Sequence, residues 1–218
     1  MKTVTGSNLV VYIPDHPKRM VIYLHAHGDF PAANGRKPKT KYNFREEIAE
    51  AIYDENTIAF AAKFGNGITA KAKEIIDKYD ISNVIVSGWS MGGTDAVNMA
   101  SYLVGLKLDL KVLLIDANYT NTIRDAVYKK LKGIPVYFLS NFISKAKTKH
   151  IEKVINHGLL KEYIKICIPA TYKGSKHRYC RDSTMTNNLY NYIFGGELKG
   201  KYKIAHWNSK KKEIVLDP

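Results

Sequence analysis

Short apolar runs alternate with segments of helical periodicity along most of the chain. Apolar runs with the length of strands cover residues 8–14, 18–25, 57–63, 83–88, 111–117, 134–141 and 163–170. Apolar residues with helical spacing cover 44–55, 68–80, 91–104, 122–131, 144–158 and 184–194. Strands that are apolar on both faces and separated by helices form parallel sheets covered on both sides. The pattern therefore predicts an α/β fold, with a mostly parallel central sheet and helices on both of its faces.

Both ends of the chain have the pattern of an antiparallel hairpin. The runs 8–14 and 18–25 flank a Pro-Asp-His-Pro turn, and the tail has β-rich segments on either side of Asn208. Turns rich in Pro, Asp, Asn and Ser between such runs are typical of hairpins. We therefore expect one domain over residues 1–218, with a core over about 8–195, an N-terminal hairpin and a C-terminal hairpin over about 200–218.

Composition adds further expectations. The chain has 218 residues, of which 45% are hydrophobic, which suits one globular domain. No apolar stretch approaches the roughly 20 residues that span a bilayer, and the first residues lack the pattern of a signal peptide. We therefore expect a soluble protein, cytoplasmic or otherwise not exported by the general route.

Cys167 lies in the apolar run YIKICIPA and is predicted to be a core thiol.

The formal net charge of +14 indicates affinity for anionic partners in general. The lysines are scattered along presumed outer helix faces and form no dense block with interleaved aromatic residues. Nucleic-acid binding is therefore not favoured. An anionic small molecule or polymer remains compatible with this charge.

The segment VSGWSMGGTDA, at 86–96, carries the most specific chemical pattern in the chain. Gly88-Trp89-Ser90-Met91-Gly92 fits G-x-S-x-G, which a chain of this size contains by chance at a rate of roughly a few per cent. An apolar strand precedes the motif and a helix of small residues follows it. A sharp turn of this kind would expose the Ser90 hydroxyl at the carboxyl end of the sheet, beside a helix N-terminus. The alternative is a glycine-serine turn that only caps the helix.

With this elbow, the chain resembles the α/β-hydrolase family, in which GWSMGG is a common form of the nucleophile elbow of esterases and lipases. The resemblance implies that an early strand ends in Leu-His-Gly-x-Gly and supplies an amide of the oxyanion hole. Here the sequence is Leu24-His25-Ala26-His27-Gly28, so an alanine replaces the first glycine. In that register the backbone N–H groups of His27 and Met91 would bind the oxyanion. The other register would move the first role to Asp29.

The resemblance also implies a histidine base in the loop after the last core strand. Of seven histidines, His177 matches this position because it follows the run 163–170. His150 and His157 fall in the predicted helix 144–158 and are expected to face solvent. His206 belongs to the predicted tail hairpin.

The acid of the triad is harder to place by the resemblance. Family members usually carry it after the strand that here ends in Ser140-Asn141, where no carboxylate occurs. Asp116 ends the preceding strand, a position that some family members use. Asp116 could instead cap the turn that follows it. Asp182 could then be the acid, or a serine-histidine dyad could act with the help of Asn141.

A metal-dependent reaction is a rival interpretation. His25-Ala26-His27-Gly28-Asp29 resembles the start of the metallo-β-lactamase motif H-x-H-x-D-H, which binds zinc. Phe30 replaces the last histidine, and no histidine lies between positions 27 and 150. We therefore expect neither a metal nor a cofactor.

Together these features predict a serine hydrolase of the carboxylesterase or lipase type, which cleaves a carboxylic ester through an acyl-enzyme. Ser90 would be the nucleophile, His177 the base and Asp116 its partner. The substrate would be a small-molecule or polymer-borne ester, and the positive charge would suit an anionic one. The alternatives are a serine peptidase or amidase, and a binding module that keeps the fold without turnover.

Overall fold

The computed structural model describes residues 1–6, 8–24, 44–65, 67–117, 123–141, 145–176, 179–180, 187–208, 210–211 and 213–216. The strands are β1 (Lys2–Gly6), β2 (Leu9–Ile13), β3 (Arg19–Leu24), β4 (Thr57–Ala62), β5 (Asn83–Trp89), β6 (Asp109–Ile115), β7 (Val136–Ser140), β8 (Leu160–Ile166), β9 (Tyr202–Asn208) and β10 (Glu213–Leu216). The helices are α1 (Phe44–Ile52), α2 (Ile68–Lys78), α3 (Gly92–Leu103), α4 (Asp125–Lys130), α5 (Lys145–Asn156) and α6 (Asn187–Ile193). The predicted alternation of strands and helices is confirmed.

The strands form a single sheet in the order β1-β2-β4-β3-β5-β6-β7-β8-β9-β10. Its centre, from β4 through β3 and β5 to β8, is parallel, whereas the two outer strands at each end pair antiparallel. Parallel strands need crossover connections, and the helices supply them. The carboxyl ends of β5, β6, β7 and β8 therefore meet at one edge of the sheet, where the candidate site lies.

The N-terminal hairpin exists, but its strands differ from the expected pair. β1 and β2 pair antiparallel, with Gly6 opposite Leu9 in the last pair of their register. The run 18–25 forms β3, which pairs parallel with β4 and β5 rather than with β2, and β4 lies between β2 and β3. The expected pairing of 8–14 with 18–25 is therefore wrong. The C-terminal hairpin is confirmed, because β9 and β10 pair antiparallel.

Alternate residues of each central strand enter two separate apolar clusters, one on each face of the sheet. In β5, Val84 and Val86 contact one cluster and Ile85 contacts the other. Buried residues of α2, α3, α4 and α5 cover the first face, and buried residues of α1 and α6 cover the second. Helices thus cover both faces, as the strands that are apolar on both sides require.

No helix among the described residues is both long and apolar enough to cross a membrane.

Candidate active site

Ser90 lies in the tight turn between β5 and α3 and has an unusual backbone conformation. Its φ is 54°, in the left-handed region that residues other than glycine seldom adopt. The Ser90 N–H donates to the carbonyl oxygen of Ile115 at 3.0 Å, and its own carbonyl accepts from the Gly93 N–H at 3.1 Å. Neighbouring strand and helix therefore hold the strained conformation. Strain of this kind at a serine between strand and helix is compatible with a nucleophile elbow.

Two glycines allow the turn to be this tight. A Cβ atom on Gly88 would lie 2.0 Å from the carbonyl oxygen of Gly92, and a Cβ atom on Gly93 would lie 2.3 Å from the Cβ of Ala117. Real side chains do not approach so closely, so any larger residue would push α3 away from the sheet. Gly88 is thus needed for the closeness of the turn itself, and Gly93 for the packing of α3 against the chain just beyond β6.

The oxyanion donors were predicted to be the N–H groups of Met91 and His27. Met91 is the residue just before α3, with φ −64° and ψ −27°, and its side chain is exposed. The N–H groups at the start of a helix point toward bound negative charge, which favours an oxyanion at this place. His27 lies outside the described residues, and so do its neighbours His25 and Asp29.

Asp116 directly follows β6, just as Ser90 directly follows the neighbouring strand β5. The last pair in the register of β5 and β6 is Trp89 with Ile115, so Ser90 and Asp116 occupy corresponding positions beyond it. Asp116 also has a left-handed backbone, with φ 46°, and its N–H donates to the carbonyl oxygen of Leu139 at 2.6 Å. Both residues therefore leave the sheet at the same edge and in a similar conformation.

The Asp116 side chain is fully buried and has two described partners. The Ser140 hydroxyl and the Lys147 ammonium both donate to its Oδ1 atom. Lys147 Nζ also lies 3.4 Å from the Ser140 hydroxyl oxygen. A buried carboxylate is stable only when it is paired and hydrogen-bonded, and these two groups meet that need. Asp116 is therefore held as part of a buried polar cluster, which is more than a turn cap would require.

Lys147 is the site residue that the sequence interpretation missed. It lies on α5 with its side chain 2% exposed. Burial lowers the pKa of the Lys147 ammonium, and the hydrogen bond from Lys147 to Asp116 opposes that lowering. The sequence held a signal: Lys147, His150, Ile151 and Val154 follow the spacing i, i+3, i+4, i+7 of a buried helix face.

Tyr163 and Cys180 complete the surroundings of Asp116. The Tyr163 hydroxyl hydrogen-bonds Ser140, and burial raises the pKa of Tyr163. The Cys180 sulfur accepts from the Asn141 N–H, and burial, together with the Asp116 charge, raises the pKa of its thiol to about 12. Chain segments from β7, β8 and the region after β8 thus converge on this carboxylate.

The expectation for the cysteines is corrected by burial. Cys167 was predicted to be the core thiol but is only half-buried, because it follows the end of β8. Cys180 is the fully buried one and packs with Leu189 and Tyr190 on the second face of the sheet. The strand ends before Cys167, so the apolar run alone overestimated how far the strand extends.

His150 does not face solvent as expected. It is fully buried, and its ring lies edge-on to the rings of Tyr128 and Phe138, with centroids 6.4 and 5.8 Å apart. His157 is half-buried and stacks on Tyr128 with centroids 5.3 Å apart. His150 is buried because it lies on the same face of α5 as Ile151 and Val154, which packs against the sheet.

The other candidates are only partly described. His177 and Asp182 lie outside the described residues, so their predicted roles stay predictions. Asn141 is described, and its side-chain amide donates to the carbonyl oxygen of Ile166 at 2.8 Å. His206 lies in β9, opposite Val215 in the terminal hairpin. Among the described residues, no group of three or more His, Cys, Asp and Glu side chains is placed to hold a metal ion.

Several solved structures superpose on most of the chain. A candidate esterase from Staphylococcus aureus does so with a TM-score of 0.55 at 14% identity, over 91% of this chain and 84% of the other. Est1E from Butyrivibrio proteoclasticus gives 0.53 at 9% identity, over 88% of this chain and 98% of its own. The chain has the α/β-hydrolase fold. A carboxylesterase of the thaumarchaeon Nitrososphaera gargenis shares this fold, with a TM-score of 0.50 at 11% identity over 89% of this chain and 97% of its own.

Comparisons of sequence alone give no such likeness. No family model matches the chain, and no curated protein matches it. The α/β-hydrolase fold is therefore established by structure, and the activity has to be argued from the site itself.

Proposed function

We propose that this protein is a serine hydrolase that cleaves carboxylic esters through an acyl-enzyme. The observation that carries the proposal is the strained backbone of Ser90, with φ 54°, in the tight turn between β5 and the N-terminus of α3. The solved structures that share the fold include esterases, which supports hydrolysis over other chemistries. Ser90 would attack the ester carbonyl, and the N–H groups of Met91 and His27 would bind the resulting oxyanion.

His177 is the proposed base, and Asp116 is its proposed partner. Cys180 lies three residues beyond His177 and is within electrostatic reach of Asp116. The chain at Cys180 therefore lies close to the carboxylate, and its nearness in sequence to His177 supports a contact between His177 and Asp116. Asp116 would accept the imidazole N–H, fix its tautomer and stabilise the imidazolium that forms when Ser90 gives up its proton. Water would then release the acyl group, with no cofactor.

The substrate would be a small-molecule or polymer-borne ester, and the net charge of +14 supports an anionic one. An ester and an amide of the same acid form the same acyl-enzyme, so a serine peptidase or amidase is the second candidate. A panel of p-nitrophenyl esters and p-nitroanilides separates the two: turnover of the anilides at rates comparable to the esters would replace the esterase assignment.

Covalent labelling by a fluorophosphonate tests the nucleophile. We expect one adduct per chain, located at Ser90 by mass spectrometry and absent from Ser90→Ala. Ser101→Ala is the matched control, because Ser101 lies on α3, the helix that follows Ser90, and its hydroxyl donates to the carbonyl oxygen of Asn98. Labelling that is absent from the folded wild-type protein, or that persists in Ser90→Ala, would contradict the proposal and favour a non-catalytic binding module.

Turnover of p-nitrophenyl acetate tests the remaining roles. Ser90→Ala and His177→Ala should each lower kcat by roughly 10⁴-fold or more, since triad members act as a unit. Asp116→Asn should lower it by roughly 10²–10⁴-fold, because the amide cannot stabilise the imidazolium. Near-normal activity of Asp116→Asn in a folded protein would rule out Asp116 as the acid.

A further inference from the structure

Lys147 brings a positive charge to the buried carboxylate from a helix that the proposed mechanism does not use. Its ammonium donates to Oδ1 of Asp116, the same oxygen that accepts from the Ser140 hydroxyl. Both side chains of the ion pair are almost completely shielded from water, at 2% and 0% exposure. Water therefore screens this charge little, and its effect extends to any group that contacts the carboxylate.

The described groups around Asp116 come from four parts of the chain. Ser140 faces it from β7, Tyr163 acts on it from β8, Lys147 bonds to it from α5, and Cys180 approaches from the segment after β8. On α5, His150 is buried three residues beyond Lys147, against Tyr128 and Phe138. Burial raises the pKa values of Tyr163 and Cys180, so both stay neutral near pH 7. Of the four described groups around Asp116, the Lys147 ammonium is thus the one that brings a positive charge into contact with the carboxylate.

We propose that Lys147 is a positioning residue, which holds Asp116 in place as a carboxylate and lowers the basicity of the His177 imidazole. This inference rests on the proposed contact between His177 and Asp116. A triad carboxylate by itself favours the imidazolium and so raises the histidine pKa. A cation bonded to the same carboxylate opposes that effect. More of the imidazole is then neutral, and able to accept the Ser90 proton, at slightly acidic pH.

The test is the pKa of His177, measured by NMR titration of its imidazole and assigned by comparison with His177→Gln. Lys147→Gln removes the charge but keeps a hydrogen-bond donor. A unit charge at several ångströms acts with an effective dielectric constant of about 20, so the His177 pKa should rise by roughly one to two pH units. Lys149→Gln is the matched control, because Lys149 lies on the same helix with its side chain exposed, and we expect no change there.

The same change should appear in catalysis. The acidic limb of kcat/KM for p-nitrophenyl acetate should move to higher pH in Lys147→Gln. At a pH below the limb, kcat/KM should fall by about tenfold for every pH unit that the limb moves. The plateau at higher pH should change less. A residue with only a structural role would change stability and the amount of folded enzyme, and would leave the position of the limb unchanged.

A double variant protects the test against a folding failure. Asp116→Asn with Lys147→Met removes both buried charges, so it leaves no uncompensated ion in the interior. Compared with Asp116→Asn alone, the double variant should again raise the His177 pKa. If the His177 pKa and the acidic limb stay unchanged when Lys147 is replaced in either background, the proposal is wrong. A wild-type protein without Ser90-dependent labelling would refute the hydrolase, while the NMR titration would still decide the role of Lys147.

Discussion

The contact between Gly93 and Ala117 offers a sharp test of how the elbow is packed. A Cβ atom on Gly93 would lie 2.3 Å from the Cβ of Ala117. Ordinary contacts between carbon atoms are about 3.5–4.0 Å, so the overlap exceeds about 1 Å. Both methyl groups are fixed to the backbone and no rotation can relieve the clash. Gly93→Ala must therefore separate the start of α3 from the end of β6.

The cost of this substitution follows from two opposing effects. Overpacking of a tight interior costs about 1–3 kcal/mol. Alanine in a helix gains about 0.5–1 kcal/mol over glycine, and Gly93 lies in α3 without a left-handed φ. We therefore expect Gly93→Ala to lower the free energy of unfolding by about 1–2 kcal/mol. Ala117→Gly alone should also destabilise, by about 1–2 kcal/mol, since it loses a buried methyl group and gains chain entropy in the unfolded state.

Together the two substitutions should compensate each other. Without the Ala117 Cβ, the new methyl group on residue 93 would meet the Ala117 Cα at 3.5 Å and the Gly88 carbonyl oxygen at 3.6 Å, which are ordinary contacts. The double variant should thus be more stable than the sum of the single changes by about 1–3 kcal/mol. Fluorophosphonate labelling of Ser90 should slow in Gly93→Ala and recover in the double variant.

Urea unfolding followed by tryptophan fluorescence and circular dichroism measures these free energies. Gly65→Ala is the control, because no atom of the described residues lies within 4 Å of the added Cβ and the backbone is not left-handed there. Its effect should stay within about 0.5 kcal/mol. Additive effects of Gly93→Ala and Ala117→Gly, within about 0.5 kcal/mol, would refute this account of the elbow.

Two further predictions concern titratable groups away from Ser90. Iodoacetamide at pH 8 should modify Cys167 and leave Cys180 intact until urea unfolds the chain, because Cys180 is fully buried with a pKa of about 12; Cys167→Ser should therefore show almost no native labelling. Burial alone would raise the pKa of Asp54, but hydrogen bonds from groups that include Thr57 and Arg19 lower it overall. The hydrogen-bonded Asp54 carboxylate should therefore stabilise the fold above about pH 4 and lose this effect as pH falls further. In Asp54→Asn, the free energy of unfolding measured in urea should thus fall less steeply with decreasing pH. An equal pH dependence of the free energy of unfolding in wild type and Asp54→Asn would contradict this role of Asp54.

The sequence by itself determined the local structure and the elbow. Apolar runs and helical spacing predicted the strands and helices, because side chains alternate faces in a strand and repeat every 3.6 residues in a helix. The motif around Ser90 could be interpreted from the strand before it and the helix after it, which are its direct neighbours in sequence. The boundaries of β8 and the burial of Cys167 were less well predicted, since an apolar run does not mark where the sheet ends.

Tertiary structure alone decided which distant segments meet. The sequence offered β2 and β3 as a hairpin because a turn joins them, yet β4 lies between them, since parallel neighbours are set by crossover helices and by packing on both faces. Lys147 and Asp116 are separated by 31 positions in the chain, so no local pattern joins them. The clash expected of a side chain at position 93 likewise depends on Ala117, which lies just beyond β6. Such contacts depend on the order of the strands in the sheet, and the local periodicity of apolar residues does not determine that order.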